Sequence, residues 1–332
     1  MRTPISDVNR KPTIESVALA AARRGFSLVE VLLVVSLLSL IVLVLMTVFN
    51  STQAAFRAGV TQTDVLEGGR AAMDMLVADL KTMTASGYGT NYANSALNSG
   101  LAPGYGDFPS NSVNFYVNTN IYYPLVQSLP GSPGNEQRTN VLENVFLLSR
   151  QNISGHDTWV GVGYTVVATN LTPAYPLYRF VTNAPVATDP YALLNAFLTG
   201  INRMSFTNGI GWSHLIDGVV DLRVHAFDAN GYQMTSSFSY QYNNAGLSTN
   251  YYPGVWFGTP QFGEAGFAFF SNTIPASVEV QLGTLEDHIL QRAESLSLQP
   301  VAQSNYLSQE AGRTHVFRQR VLLPNVNPGV YP

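Results

Sequence analysis

The longest hydrophobic pattern in the sequence runs from Phe26 to Phe49, FSLVEVLLVVSLLSLIVLVLMTVF, and contains a single charged residue, Glu30. As an α-helix this stretch would span roughly 36 Å, and the hydrocarbon core of a bilayer is about 30 Å thick. A core helix of this length in a soluble protein would carry a polar stripe, and none is present. The pattern therefore predicts a transmembrane helix over residues 26–49.

A different pattern, with helical periodicity, follows this stretch. No proline occurs in residues 50–84, and apolar positions recur every three or four residues at Met73, Leu76, Val77, Leu80 and Met83. The charged residues of the same segment, Arg70, Asp74, Asp79 and Lys81, are expected on other faces. We predict an amphipathic helix over residues 50–85 whose apolar stripe packs against a globular head, with a possible kink at Gly68-Gly69.

The remainder of the chain, residues 86–332, shows short β patterns separated by turn signals. Strands are predicted at 113–117, 143–150, 158–168, 177–181, 218–228, 266–270, 277–282 and 315–323. In the fifth strand, Val220, Leu222, Val224 and Ala226 alternate with Asp221, Arg223 and His225, which predicts one buried face. Helices are predicted at Tyr191–Thr199 and, from a capping-box-like start, at Thr284–Leu298. Long loops are expected at 87–112, 124–140 and 241–262.

These patterns together predict an α+β protein in which a long N-terminal helix packs on an antiparallel β-rich head. The expected division is a leader (1–25), a transmembrane helix (26–49), an amphipathic extension (50–85) and the head (86–332).

The charges around the apolar stretch predict its orientation. Five basic residues precede it, Arg2, Arg10, Lys11, Arg23 and Arg24, and the next one is Arg57. The positive-inside rule then places the N-terminus in the cytoplasm and the head outside. A secretory signal peptide is the alternative, but its apolar region would be shorter and would end in small residues.

Composition restricts the classes of function. Charged residues make up 11% of the chain, there is no cysteine, and residues 26–332 hold 12 basic and 19 acidic residues. Binding of nucleic acid is therefore not expected, because the chain lacks the excess of positive charge that it requires. Disulfide bonds and thiolate sites are impossible.

No pattern of catalytic or metal-binding residues stands out. The five histidines are scattered, and no HExxH motif, GxSxG motif or phosphate-binding loop occurs. The sequence Asp228-Ala229-Asn230-Gly231 is expected to form a hairpin turn and not a calcium loop. We expect a protein that is not an enzyme, with no catalytic residue, no metal and no cofactor.

The residues before the apolar stretch form a motif. Arg23-Arg24-Gly25-Phe26-Ser27-Leu28-Val29-Glu30, followed by the long apolar run, resembles the cleavage and methylation motif of type IV prepilins and type II secretion pseudopilins. The resemblance implies that a membrane-bound prepilin peptidase cuts after Gly25 and that Phe26 becomes N-methylated. It also implies other pilin or pseudopilin subunits as partners and a pilin-like fold.

The order of the later segments is also similar to the J-type minor pseudopilins and related minor type IV pilins. The similarity rests on Asp79-Leu80, a strand near Tyr164, a Leu-Tyr-Arg strand (177–179), Ile216-Asp217-Gly218-Val219, Ile274-Pro275-Ala276-Ser277-Val278 and a final Arg320-Val321-Leu322-Leu323-Pro324. Prepilin-like proteins encoded in gene cassettes of Verrucomicrobia are similar as well. The long loops and the lack of a cysteine pair depart from the pattern.

Glu30 has two interpretations. A carboxylate costs about 2.5–3.5 kcal/mol at the centre of a membrane helix, and intramembrane charges usually have a function. Alternatively, Glu30 is solvated by headgroups near the helix start, where the helix dipole favours it. If cleavage frees the Phe26 amine, pairing with Glu30 would offset the burial of both charges, and we expect Glu30 to act in filament assembly.

The function that the resemblance implies is that of a minor pilin- or pseudopilin-like structural subunit of a type II secretion or type IV pilus-like filament, in a bacterial inner membrane. It would cross the membrane once, with a cytoplasmic N-terminus and a periplasmic head, and would join a filament. The alternative is a pilin-anchored module that binds polysaccharide or an exported substrate through the Tyr- and Asn-rich stretches at 87–106 and 241–252.

Overall fold

The computed structural model describes residues 26–87, 113–119, 125–129, 136–167, 175–202, 211–235, 241–242, 248–249, 254–258, 260 and 263–324. The chain divides into two compact units, Met1–Arg57 and Ala58–Pro332. The second is called the sheet unit below, and residues 26–49 of the first are called the apolar segment.

One helix, α1 (Leu28–Lys81), supplies residues to both units. In the first unit its few hydroxyl groups bond to carbonyl oxygens one turn earlier. Ser36 donates to Leu33 O at 2.8 Å and Thr47 donates to Leu43 O at 2.9 Å. These bonds satisfy the polar groups within the helix, so that they add little polarity to its apolar surface.

The described residues of the sheet unit contain a curled antiparallel sheet of nine strands. These are β1 (Val113–Thr119), β4 (Glu143–Ile153), β5 (His156–Val166), β6 (Tyr175–Pro185), β7 (Trp212–Phe227), β10 (Val255–Phe257), β11 (Phe267–Phe270), β12 (Ser277–Leu285) and β13 (Thr314–Leu322). Across the sheet their order is β10-β11-β1-β4-β5-β6-β7-β12-β13. Two small hairpins pair β2 (Val126–Ser128) with β3 (Gln137–Thr139) and β8 (Gln241–Tyr242) with β9 (Ser248–Thr249).

The main core lies between one face of the sheet and the C-terminal part of α1. The five apolar residues of the predicted stripe are all buried there: Met73, Leu76, Val77, Leu80 and Met83. The curl brings the start of β4 against β7, where Leu142 and Leu222 form a parallel bridge and Leu222 N–H donates to Val141 O at 2.8 Å. The prediction that this stripe is a packing surface is confirmed.

A second apolar cluster covers the opposite face of the sheet. The helix α2 (Tyr191–Asn202) buries Phe197 against Phe146, with ring centroids 5.8 Å apart. A side chain at Gly163 would collide with the Phe197 ring, because a Cβ atom there would lie 2.3 Å from it. Glycine in this strand therefore allows helix and sheet to approach closely.

Two further helices, α3 (Asp287–Ser295) and α4 (Pro300–Gln309), lie between β12 and β13. Their apolar residues Ile289, Ala293 and Leu307 form a third cluster with Leu285. Pro300 begins α4 at a position where a helix needs no backbone N–H partner.

The predicted fold class is confirmed at the level of architecture: the protein is α+β, with a long N-terminal apolar helix and an antiparallel sheet. All eight predicted strands are present, as is the helix over 191–199. The turn at Asp228 is also present, since the Asp228 carboxylate accepts the N–H groups of Asn230 and Tyr232.

The alternation predicted in β7 is wrong at its start. A β-bulge between Val219 and Asp221 shifts the register against β12, so Val219 joins the main core and Val220 packs with Leu285 on the other side. Asp221, expected on the polar face, is fully buried. The extra residue of the bulge reverses the side-chain direction, which period-two alternation cannot anticipate.

Three other predictions need correction. The helix expected from Thr284 begins at Asp287, because Thr284 and Leu285 still pair with β13, and it ends at Ser295. The expected loop at 124–140 contains the β2–β3 hairpin, and the one at 241–262 contains short strands. At Gly68 and Gly69, where a kink is possible, α1 continues as one helix, and a Cβ at Gly69 would lie 2.2 Å from the Phe317 ring.

Candidate functional site

The predicted processing site lies at the start of α1. Gly25 is outside the described residues. Phe26 precedes the helix and is 80% exposed, and Glu30 lies exposed in the first helical turn. The peptide bond expected to be cut therefore adjoins an exposed residue, with which the apolar segment begins.

Ser27 caps this helix. Its Oγ accepts the Glu30 N–H at 3.2 Å, and its carbonyl oxygen accepts the Val31 N–H at 3.2 Å. Ser27 and Glu30 have the S-x-x-E spacing of a capping box, which is a local signal in the sequence for a helix start at this point. An acidic side chain at the third helical position also complements the partial positive charge of the helix N-terminus.

The apolar segment is exposed along its whole length. The large apolar side chains of residues 26–49 are between 45% and 80% exposed. Within the described residues α1 is the single helix that is long and apolar enough to cross a membrane. By its length and composition, α1 is therefore a candidate membrane-spanning helix.

A polar contact joins α1 to the sheet within the sheet unit. Asp79 accepts two hydrogen bonds from the Arg179 guanidinium group, one from Nε at 2.8 Å and one from Nη2 at 2.9 Å. It also accepts a short hydrogen bond from the Tyr164 hydroxyl group. Burial, together with the Asp79 charge, raises the pKa of Tyr164 far above its ordinary value. The hydrogen bonds to Asp79 raise the pKa of Arg179.

Three residues that marked the weaker resemblance are thus brought together. Tyr164 and Arg179 are direct neighbours across β5 and β6, and Asp79 approaches them from α1. Asp79 was expected on a face away from the packing stripe, but its side chain is only 15% exposed. The sequence offered no signal for this contact, because its partners lie 85 and 100 residues further along the chain.

Two buried carboxyl groups, which no sequence pattern indicated, hold the curl of the sheet. Asp221 accepts the Val141 N–H at 2.8 Å, and Glu143 accepts the Val224 N–H at 2.6 Å. Complete burial raises the pKa of Glu143 well above its ordinary value, although the bond from Val224 opposes the shift. A neutral carboxyl group at Glu143 suits this fully buried position, since desolvation makes a charge there costly.

A more exposed set of charges lies next to them. Glu264 accepts hydrogen bonds from Arg223 at 3.3 Å and from His225 at 3.0 Å. Burial acts to raise the pKa of Glu264, but the bond and charge of His225 and the charge of Arg223 outweigh it and lower the pKa. Arg223 also bonds to Asp221 at 3.0 Å. These groups satisfy one another and act as structural contacts.

The described residues contain no group of three or more histidine and acidic side chains placed to hold a metal ion. His214 contacts Asp217, and His288 and His315 both contact Glu286. The stretches behind the ligand-binding alternative, 87–106 and 241–252, lie almost entirely outside the described residues. The structure therefore offers no geometry for that alternative.

Comparison with protein-family models, with curated proteins and with solved structures finds no match to this chain.

Proposed function

We propose that this protein is a structural subunit of a pilin-like filament, anchored in a membrane by the apolar segment and processed between Gly25 and Phe26 by a prepilin peptidase. The single observation that carries the proposal is the arrangement at the start of α1. A basic pair and a glycine come directly before the apolar segment, which begins with an exposed Phe26, carries Glu30 in its first helical turn and has its large apolar side chains exposed among the described residues.

The division of α1 between two environments supports the proposal. The apolar segment has its aliphatic side chains exposed, whereas the apolar stripe Met73, Leu76, Val77, Leu80 and Met83 is buried against the sheet. An exposed apolar surface of this length needs a lipid phase or other apolar helices around it. The membrane would supply the lipid phase. After assembly, the filament would surround the segment with the apolar helices of other subunits.

Electrostatics indicates a role for Glu30 in filament assembly. Cleavage after Gly25 would leave a charged amine on Phe26, four residues before Glu30, and both charges would enter an apolar helix bundle on assembly. Either charge buried alone would be very costly. Pairing of the amine with Glu30, in the same or a neighbouring subunit, would offset these costs and would favour one axial stagger between helices.

Processing is tested by mass spectrometry of the N-terminal peptide of protein isolated from its native host. The expected N-terminus is Phe26 carrying one methyl group, and Gly25→Val should leave the leader attached because it hinders the bond to be cut. A chain that starts at Met1, or one cut after Phe49, would refute the proposed membership of the prepilin group.

Assembly is tested with Glu30→Gln. We expect membrane insertion and cleavage to continue, while crosslinking to neighbouring pilin-like subunits decreases. Glu67→Gln is the matched control, because Glu67 is also an exposed acidic residue on α1. If Glu30→Gln crosslinks as well as the wild type, Glu30 is a tolerated interfacial charge and has no role in assembly.

A further inference from the structure

The last strand of the sheet, β13, leaves one of its edges open. It pairs with β12 along all nine of its residues and is the final strand in the sheet order. Among the described residues no other strand pairs with its second edge. The backbone of that edge is therefore available to an additional strand.

The register identifies the backbone groups that point outward. Leu323 N–H donates to Ala276 O at 3.0 Å, which makes this pair a hydrogen-bonded one. Because hydrogen-bonded pairs alternate along an antiparallel ladder, the odd-numbered residues of β13 bond to β12. The N–H and C=O groups of Val316, Arg318, Arg320 and Leu322 therefore face away from the sheet.

The side chains of these four residues lie on one face and form an apolar–basic–basic–apolar sequence. Val316 is 43% and Leu322 is 78% exposed. Arg318 bonds to Glu279 at 2.8 Å but remains 64% exposed, and Arg320 stacks on Phe227 at 3.8 Å from the ring centroid. Neither arginine is buried, so both charges can act on a strand placed beside them.

The charges near this edge indicate which kind of strand would bind to it. The chain is acidic overall, yet no acidic residue occurs after Glu310, while Arg313, Arg318 and Arg320 do. A second copy of β13 in full antiparallel overlap would place Arg318 opposite Arg318 of the other copy, and like charges directly opposite destabilise a sheet. An acidic strand would instead meet two arginines.

We propose that β13 is a docking edge for an extended segment of a different protein, with acidic residues at two alternating positions between apolar ones. The segment adds as a tenth strand: its backbone bonds to the outward groups of β13, and its acidic side chains lie beside Arg318 and Arg320. This inference is independent of the proposed filament function.

The test uses the full chain in detergent and two labelled nine-residue peptides. One carries Val, Glu, Glu and Leu at alternating positions, and the other has Lys in place of both Glu. Fluorescence anisotropy should show that the Glu peptide binds about tenfold or more tightly than the Lys peptide. Hydrogen exchange of the Val316, Arg318, Arg320 and Leu322 amides should slow when the Glu peptide is bound.

Two variants separate strand addition from simple charge attraction. Val316→Pro removes one outward N–H and keeps both arginines, and it should abolish slowed exchange and weaken binding. Arg318→Gln/Arg320→Gln keeps the backbone edge and should remove the preference for Glu over Lys. Arg70→Gln, at an exposed site on α1, should change neither property. Circular dichroism establishes that each variant is folded.

Three results would overturn the proposal. Equal affinity for the two peptides, or no binding of either, would show that β13 has no acidic partner preference. If the Glu peptide binds the folded Val316→Pro variant as well as the wild type, the peptide is held by charge attraction and does not add as a strand. Self-association of the wild type that Val316→Pro abolishes would assign the edge to a second copy of the chain.

Discussion

The contact of Asp79 with Arg179 and Tyr164 gives the sharpest test of how α1 is held against the sheet. Replacing Asp79 with alanine removes the acceptor of three hydrogen bonds. It also takes the partner charge away from Arg179, whose side chain is only 24% exposed. Breaking a fully buried ion pair costs about 3–5 kcal/mol. Because water still reaches both groups, we reduce the expected cost to about 2–3 kcal/mol.

The assays are urea unfolding and thermal unfolding of the fragment Ala58–Pro332, which contains the whole sheet unit. Asp79→Ala should lower its free energy of unfolding by about 2–3 kcal/mol and its Tm by about 4–10 °C. The matched control is Asp74→Ala, since Asp74 is exposed on the same helix and should change stability by less than about 0.5 kcal/mol.

A double-mutant cycle isolates the pair itself. Arg179→Met removes the charge and keeps most of the side-chain volume, and the cycle with Asp79→Ala should give a coupling energy of about 1–2 kcal/mol. If Asp79→Ala is no more destabilising than Asp74→Ala, or if the coupling is near zero, apolar packing alone holds the helix end. The reasoning from the contact geometry would then be wrong.

Two further predictions concern packing and protonation. Gly69→Leu should destabilise the sheet unit by about 1–3 kcal/mol, because its Cβ would collide with the Phe317 ring. Gly59→Ala should stabilise it by up to about 1 kcal/mol, because no atom lies within 4 Å of the new Cβ. Similar melting temperatures for the two variants would contradict this. Because the pKa of Glu143 is raised in the folded state, that state holds the proton more tightly than the unfolded state does. The stabilisation that this proton gives the folded state is complete below the ordinary pKa and is lost as pH rises through the folded pKa. Urea unfolding between about pH 5 and 9 should therefore show Glu143→Gln gaining stability relative to the wild type as pH rises, and a constant difference would refute neutral Glu143.

The sequence predicted the elements whose signal is local. The stripe through Leu76 and Leu80 repeats with the period of a helix, and the strand at 143–150 is a continuous run of residues suited to a buried strand. Each signal depends on neighbouring residues alone. The helix at Tyr191 and the turn at Asp228 were predicted for the same reason.

The parts that sequence reasoning missed depend on partners far along the chain. Asp221 contacts a backbone group 80 residues away, and Glu143 contacts one 81 residues away. In the sequence, Asp221 looks like an ordinary polar position of an alternating strand. Only the curl of the sheet, which brings β4 to β7, turns these two acids into buried acceptors. The bulge at Val220 likewise lies where β7 pairs with β12, a strand further along the chain.

Within the sheet unit, three kinds of contact act on α1, and they fix different degrees of freedom. Burial of Leu76 and Leu80 sets the depth of the helix, but the hydrophobic effect has no direction and allows sliding along the axis. Gly69 removes a side chain where Phe317 approaches, which selects one rotation of the helix. The forked contact of Arg179 with Asp79 requires two bonds at once, so a shift of one residue would break it. The ion pair therefore contributes axial register, and apolar packing contributes most of the free energy.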